Sequence, residues 1–173
     1  MKNFWCEVYP DVIDQNIKKI RLLTNKKLMA VIKGNAYGLG IEKTSEFLDS
    51  RVDSFAVTYF DEAHRIKSGK DILIMTPDYK IEDLKGIKEN FILTVDDIDK
   101  VRKLAGTGRQ FRVHIFVNTG MNRFGIYPDS LSRFIEDTNK FSKNIGIEGV
   151  YTHLHNTDNK KYTSNQITLF ESC

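Results

Sequence analysis

The chain has 173 residues, of which 40% are hydrophobic and 28% are charged, and its formal net charge is +3. This is an ordinary soluble composition, long enough for one domain with a hydrophobic core. The basic residues are scattered rather than clustered, which argues against nucleic-acid binding. There is no apolar run of transmembrane length and no signal peptide, so we expect a cytoplasmic protein without a membrane partner. Cys6 and Cys173 are expected to be free thiols, and a disulfide between them is the alternative.

Predicted strands and helices alternate strictly along the chain. A short apolar strand, Trp5–Tyr9, precedes a helix that Pro10 and Asp11 open. The further predicted strands are Met29–Ile32, Ser54–Tyr59, Ile72–Met75, Phe91–Val95, Phe111–Asn118 and Ile147–Leu154. The helices that follow them are Ile41–Leu48, one capped by Asp61 that ends at Gly69, one around Leu84, one capped by Asp96 or Asp97, Pro128–Phe141, and one beginning at Tyr162.

This alternation of strands and helices indicates a parallel α/β fold, either a doubly wound sheet or a (β/α)8 barrel. No G-x-G-x-x-G follows a strand, which weakens the dinucleotide-binding alternative.

Lys33 follows the apolar strand Met29–Ile32 directly and is itself followed by a Gly-Asn-Ala-Tyr-Gly turn. A lysine at the carboxyl end of a buried strand is costly unless it has a partner or a shifted pKa. Desolvation favours the neutral, nucleophilic amine, which is how a Schiff-base lysine is made. The alternative is a strand-end lysine whose ammonium group reaches solvent.

Three separate motifs follow one another along the chain, Val31-Ile-Lys-Gly-Asn-Ala-Tyr-Gly38, Thr119-Gly-Met-Asn-Arg-Phe-Gly125 and Gly149-Val-Tyr-Thr-His-Leu154. They resemble motifs of the alanine racemase family and occur in the order found in that family. The opening Trp5-Cys-Glu-Val8 and the stretch from Gln166 to Phe170 also match. The resemblance covers essentially the whole chain, but the chain covers only about half of the family's length.

The resemblance implies an α/β fold of the incomplete (β/α)8 TIM-type barrel class, with six of the eight strands. Residues 11–173 would form this partial barrel. Residues 1–10 would carry a strand that belongs to a second, β-rich domain, most of which is missing from the chain. We therefore expect a fragment, a truncated gene product, or a chain that closes its open sheet edges by association. The full-length protein is expected to be a homodimer.

The resemblance also implies the cofactor pyridoxal 5'-phosphate and a set of site residues. Lys33 would form the internal aldimine and then move a proton on one face of the substrate's Cα. Tyr37 would bind the cofactor phosphate, Arg123 would lie by the cofactor's phenolic oxygen and the substrate carboxylate, and His153 would pack near the ring. The alternatives are a loop aromatic at Tyr37, a surface arginine at Arg123, and a core histidine or a zinc ligand, with His155, at His153.

Three positions depart from the family's pattern. Phe116 occupies the place where many members have a modified lysine that orients the arginine, Asn118 replaces an acidic residue, and Leu39 replaces a histidine. Phe116 cannot orient Arg123, whereas Asn118 could do so in part as a neutral acceptor. These departures concern substrate range and rate rather than cofactor binding.

The implied function is alanine racemisation, which would supply D-alanine for peptidoglycan. In the family the second base is a tyrosine of the C-terminal domain, contributed across the dimer. Because that domain is absent, the isolated chain is expected to be weakly active or inactive. The alternatives are a racemase for serine or another amino acid, a non-catalytic protein that binds pyridoxal phosphate, and an inactive fragment.

Overall fold

The computed structural model describes residues 5–173, and the chain divides into two compact units, with the boundary between Leu73 and Ile74. The strands are β1 (Met29–Val31), β2 (Ser54–Val57), β3 (Ile72–Ile74), β4 (Phe91–Val95), β5 (Phe111–Phe116) and β6 (Ile145–Tyr151). The helices are α1 (Pro10–Leu23), α2 (Lys33–Tyr37), α3 (Ile41–Leu48), α4 (Phe60–Arg65), α5 (Ile98–Gly106), α6 (Leu131–Asn139) and α7 (Lys160–Glu171), and Ile81–Leu84 and Pro128–Ser130 are 3₁₀ turns.

The six strands lie in sequential order, β1-β2-β3-β4-β5-β6. The pairs β1–β2, β4–β5 and β5–β6 are parallel. A doubly wound sheet reverses its strand order at a switch point, whereas a (β/α)8 barrel adds each new strand beside the last one. The sequential order therefore confirms the predicted class, an α/β chain with six strands of an incomplete TIM-type barrel.

The core of the first unit is built on β2, where Phe55, Ala56 and Val57 are almost completely buried. Helix α3 contributes Ile41 and Leu48, which lie seven residues apart and so share one face of the helix. Strand β1 is far less covered, because it is the end strand of the sheet order and, among residues 5–173, pairs only with β2. The sequence predicted a buried strand here, but Val31 is 42% exposed.

The core of the second unit is centred on β4, in which all five residues are buried. Its continuous apolar pattern is typical of a strand that is covered on both faces. Strand β5 adds Val113 and Ile115 to this core, and helix α5 packs Val101 and Leu104 from one face. Asp97 caps α5 by accepting a hydrogen bond from the Asp99 amide at 2.9 Å, so the second of the two predicted caps is confirmed.

The strand predicted at Trp5–Tyr9 is absent. These residues have no regular secondary structure, and Trp5 and Tyr9 are 79% and 62% exposed. An isolated apolar segment does not become a strand unless a neighbouring strand satisfies its backbone groups, and no such pairing occurs within residues 5–173. The assignment of residues 1–10 to a second domain stays a prediction, and residues 1–4 of this range lie outside the described residues.

Several predicted element ends are corrected. Helix α4 begins after Tyr59 rather than at an Asp61 cap, and it ends before Ile66 rather than at Gly69, because Ile66 has extended backbone angles. Strand β6 ends at Tyr151 rather than Leu154. Helix α7 begins two residues before Tyr162, where the Asn159 side chain caps it by accepting from the Tyr162 amide.

Cys6 and Cys173 are both free and exposed, as the sequence predicted. Within residues 5–173, none of the helices combines the length and the apolar character that are needed to cross a bilayer.

Candidate functional site

Lys33 opens a turn of the opposite hand to an ordinary helix. The five residues that follow it, Gly34 to Gly38, all have positive φ, with values between 54° and 92°. Each non-glycine residue in this region costs about 1 kcal/mol relative to a right-handed conformation. Backbone bonds hold the turn closed, from the Ala36 amide to the Ile32 carbonyl at 2.9 Å and from the Gly38 amide to the Gly34 carbonyl at 3.0 Å.

Side chains from α3 and α4 hold this turn as well. The Glu62 carboxylate accepts a hydrogen bond from the Asn35 amide at 3.1 Å. The Asn35 side-chain oxygen accepts from the Ile41 amide at 3.1 Å and from Arg65 at 2.8 Å. Arg65 also pairs with Glu42 at 2.7 Å, and this hydrogen bond holds the pKa of the Glu42 carboxyl below its usual value. A strained backbone conformation persists only when several surrounding contacts hold it, as these hydrogen bonds do.

Lys33 and Tyr37, two of the predicted site residues, stand at the two ends of this turn. Lys33 is half-buried, which is less than the sequence predicted, and Tyr37 is 68% exposed. Neither the Lys33 amine nor the Tyr37 hydroxyl makes a hydrogen bond or ion pair to another of residues 5–173. Both groups are therefore available to a ligand.

Arg123, the third predicted site residue, lies in the second unit on a loop that is closed at its base. The Asn118 amide donates to the Ile126 carbonyl at 2.8 Å, and the Ile126 amide donates to the Phe116 carbonyl at 3.0 Å. The Asp96 carboxylate accepts from the Gly125 amide at 2.9 Å. A side chain at Gly125 would place its Cβ 2.8 Å from the Asn118 amide nitrogen, so only glycine fits this crossing.

Asn118 acts on this loop differently from the sequence expectation. Its side-chain oxygen accepts from the amides of Gly120 and Asn122, at 3.1 and 3.0 Å, and its side-chain nitrogen donates to the Asn122 side chain at 3.1 Å. The prediction that Asn118 accepts from Arg123 is therefore wrong. Asn118 instead fixes the backbone of the turn that leads into Arg123.

The Arg123 side chain is exposed and borders an open cleft of about 350 Å³. Its guanidinium makes no hydrogen bond or ion pair within the described part of the chain, and its carbon lies 5.7 Å from the centre of the Phe124 ring. The lining residues of the cleft are Asp96, Asn118, Asn122, Arg123, Phe124, Gly125 and Tyr127. A permanently charged, planar donor at the edge of a cleft suits an anionic oxygen.

Phe116 stacks on a neighbouring aromatic ring. It stands at the position where the resemblance implies a modified lysine in many family members. Its ring lies 4.9 Å from that of Tyr151, at an interplanar angle of 19°. The Tyr151 hydroxyl lies 2.8 Å from the Thr94 hydroxyl and donates to the Met75 carbonyl at 3.3 Å. Burial raises the pKa of Tyr151 to about 12, so this hydroxyl stays protonated at neutral pH.

His153, the fourth predicted site residue, does not lie on the sixth strand. It follows β6 by two residues and is exposed, so the strand predicted at Ile147–Leu154 does not include it, and it is not a core histidine. The His155 ring meets the Tyr162 ring edge-on at 5.7 Å. Among residues 5–173 there is no cluster of three or more metal-ligating side chains.

Gln166 connects the loops of Arg123 and His153, a role that the sequence did not predict. It is 2% exposed, and its side-chain oxygen accepts from the His155 amide at 2.8 Å. Its side-chain nitrogen donates to the Thr119 hydroxyl at 3.1 Å and to the His153 carbonyl at 3.4 Å. From the same helix, the Tyr162 hydroxyl donates to the Gly120 carbonyl at 2.9 Å. One sequence signal for this role was available. Tyr162 and Gln166 are four residues apart, and this spacing places both side chains on one face of a helix.

These groups match the chemistry of pyridoxal phosphate, which carries an aldehyde, a phenolic oxygen and a phosphate. The Lys33 amine suits the aldehyde, while the Tyr37 hydroxyl and the Arg123 guanidinium are donors for anionic oxygens. None of the three groups is occupied by a hydrogen bond or ion pair within residues 5–173. In the first unit, the Lys33 amine and the Tyr37 hydroxyl therefore fit the aldehyde and the phosphate, and in the second unit, taken by itself, the Arg123 guanidinium fits an anionic oxygen.

Comparisons with known proteins identify the family of the chain. The family model described as "Alanine racemase, N-terminal domain" matches residues 8–173. An alanine racemase from Methanococcus maripaludis is 36% identical over 97% of this chain and 48% of its own length. The structure of a Clostridium difficile alanine racemase in complex with cycloserine superposes with a TM-score of 0.79 at 27% identity, over 91% of this chain and 46% of the other. A histidine racemase from Leuconostoc mesenteroides shares the fold, with a TM-score of 0.79 at 23% identity over 94% of this chain and 46% of its own. Since the family model matches nearly every residue, the chain belongs to the alanine racemase family and carries that family's N-terminal domain.

Proposed function

We propose that this chain is the N-terminal barrel part of a pyridoxal-phosphate-dependent racemase that interconverts L-alanine and D-alanine. The chain spans about half the length of the curated relatives it matches, so the proposal concerns the activity of a complete polypeptide. Family membership supports it, and so does the placement of an available amine and an available phenol at the two ends of one rigid turn. That placement of Lys33 and Tyr37 is the observation that carries the proposal.

The first unit supplies the residues for cofactor attachment. When bound, pyridoxal phosphate provides a conjugated ring that withdraws the electron pair left at the substrate's Cα. Lys33 would hold the aldehyde carbon through its amine and would hold or move a proton on one face of Cα. Tyr37 would donate a hydrogen bond from its hydroxyl to a phosphate oxygen. Because the left-handed turn fixes the backbone between them, the amine and the phenol can hold the two ends of one ligand.

The second unit supplies two groups, the guanidinium of Arg123 and the imidazole ring of His153. Arg123 would bind a carboxylate or phenolate oxygen through the parallel N–H groups of its guanidinium. Asn118 and Asp96 hold the loop on which Arg123 is carried, so its backbone needs little rearrangement when an anion binds. His153 would provide an imidazole for contact with the cofactor ring.

Racemisation requires a proton-transferring group on the opposite face of Cα as well. We propose that this group is a tyrosine of a C-terminal domain, contributed by the partner subunit of a homodimer. The chain by itself would then bind the cofactor and turn over alanine weakly or not at all. In the complete enzyme the product D-alanine would enter peptidoglycan synthesis in the cytoplasm.

Two alternatives remain distinguishable by experiment. The substrate could be serine or another amino acid, and the histidine racemase that shares this fold keeps that alternative open. Turnover of several L-amino acids by the complete polypeptide, measured side by side, identifies the preferred one. A non-catalytic protein that binds pyridoxal phosphate would retain the cofactor but would not exchange the α-proton of alanine in deuterated water.

The lysine assignment has a direct test on the chain as it exists. After incubation with pyridoxal phosphate and reduction with borohydride, mass spectrometry should find the cofactor's mass on the peptide that contains Lys33. Lys33→Ala should remove both this adduct and the cofactor's absorbance near the visible range. Lys43→Ala is the matched control, because Lys43 is an exposed lysine of the same unit. An adduct that persists in Lys33→Ala, or that is lost equally in Lys43→Ala, would contradict the proposal.

A further inference from the structure

Glu62 is a buried carboxylate that no part of the proposed chemistry uses. It is 7% exposed, and it accepts backbone hydrogen bonds from three amides. One carboxylate oxygen accepts from the Asn35 amide at 3.1 Å. The other accepts from the amides of Thr58 and Tyr59, at 3.0 and 3.3 Å, where β2 ends and α4 begins. Glu62 thus connects the middle of the Lys33 turn to the end of the neighbouring strand.

The location of this contact matters because the turn is unfavourable by itself. Asn35 is the second of five consecutive residues with positive φ, and its amide donates to Glu62 rather than to one of the backbone carbonyls that close the turn. A buried amide without an acceptor would favour a different backbone conformation. The three amide donors satisfy both oxygens of the Glu62 carboxylate in its buried position.

We propose that Glu62 is a positioning residue that sets the spacing between the Lys33 amine and the Tyr37 hydroxyl, and thereby selects a phosphorylated aldehyde over an unphosphorylated one. The inference rests on the proposed function. Without the Glu62 carboxylate, the turn relaxes toward right-handed backbone angles and the two side chains no longer fit the two ends of one ligand. Lys33 would still react with an aldehyde, but the Tyr37 hydroxyl would no longer bind the phosphate group of that aldehyde.

Glu62→Gln separates positioning from folding. Glutamine serves as well as glutamate at the third residue of a helix, so its oxygen can keep the bonds to Thr58 and Tyr59. Its NH2 group then faces the Asn35 amide, donor against donor. We expect the preference of the chain for pyridoxal phosphate over pyridoxal, measured as borohydride-trapped adduct on Lys33, to fall by about tenfold or more. Capture of pyridoxal itself should stay within about twofold of the native value.

A second measurement does not depend on ligand capture. In hydrogen exchange followed by NMR, the Asn35 amide should be protected in the native chain and should exchange faster in Glu62→Gln, while the amides of α3 keep their protection. Asp97→Ala is the stability control, because it removes another carboxylate cap, on α5, that does not contact the Lys33 turn. It should leave the phosphate preference unchanged.

The outcomes are distinct. A selective loss of the phosphate preference together with faster Asn35 exchange supports the role of Glu62. An unchanged preference in Glu62→Gln, or an equal loss of pyridoxal and pyridoxal phosphate capture, overturns it. If the native chain captured neither aldehyde on Lys33, the proposed function would itself be wrong, and the inference would fall with it.

Discussion

The Phe116 and Tyr151 rings stack with their centroids 4.9 Å apart, between two adjacent parallel strands of the second unit. Phe116 is 3% exposed, so its ring contributes both burial and aromatic contact. Phe116→Ala should lower the free energy of unfolding by about 3 to 5 kcal/mol in urea titrations. Trp5→Ala is the control, since Trp5 is 79% exposed and its removal should change stability by less than about 0.5 kcal/mol. Equal effects of the two substitutions would contradict the packing described here.

Tyr151 should make the stability of the chain depend on alkaline pH. Burial raises its pKa to about 12 from the ordinary value of 10.0, so the folded chain keeps the proton in a range where the unfolded chain releases it. The contribution of Tyr151 is therefore complete below about pH 10 and is lost as pH rises toward about pH 12. Its size is roughly 2 to 3 kcal/mol.

The measurement is the difference in unfolding free energy between the native chain and Tyr151→Phe, taken at intervals across this range. Lysines titrate in the same interval, so the difference between the two chains isolates Tyr151. We expect the native chain to lose stability faster than the variant. A difference that stays constant with pH would show that the Tyr151 hydroxyl is not buried.

Asn118 should control the order of the Arg123 loop. Asn118→Ala leaves the amides of Gly120 and Asn122 without their acceptor and should cost about 1 to 3 kcal/mol. Both amides should then exchange faster with deuterated solvent. Asn139→Ala, at the exposed end of α6, is the matched control and should leave these amides unaffected. Unchanged protection of Gly120 and Asn122 in the Asn118 variant would rule out this anchoring role.

Gln166 should couple the Arg123 loop to the His153 loop. Gln166→Leu keeps the volume of the side chain but removes the acceptor of the His155 amide and the donor to Thr119. A loss of roughly 1 to 3 kcal/mol is expected, with faster exchange of the His155 amide. Asn165→Leu changes the preceding, exposed residue and should have little effect. If NMR signals of only one of the two loops moved in Gln166→Leu, the coupling would be refuted.

The sequence predicted most of the strands because their apolar patterns are strong. Phe91–Val95 was predicted to its exact bounds, and the sequential order of the strands confirmed the barrel class. Element ends were less predictable. Helix α4, for example, ends before Ile66 because Ile66 has extended backbone angles, and the composition of the segment does not reveal those angles. The segment Trp5–Tyr9 has a strand's composition but no strand beside it within residues 5–173, and composition alone does not supply a partner.

The residues of the candidate site were also predicted only in part. The positions of Lys33, Tyr37 and Arg123 after the ends of strands were expected from the motifs, and the structure finds them there. The residues that hold those loops were not predicted, because Glu62 and Gln166 act through backbone groups that are distant in sequence. A side chain that bonds to a peptide amide leaves no charge pattern or periodicity for sequence analysis to detect.

The hand of the Lys33 turn has a consequence for chemical synthesis of this chain. Positive φ is the resting conformation of a D-amino acid, which mirrors the steric preferences of an L-residue. Ala36 has a φ of 56° and is 3% exposed, so a mirror-image alanine there would adopt the turn without strain, provided that its methyl group finds room. A semisynthetic chain with D-alanine at position 36 should therefore form this loop more readily than the ribosomal product does.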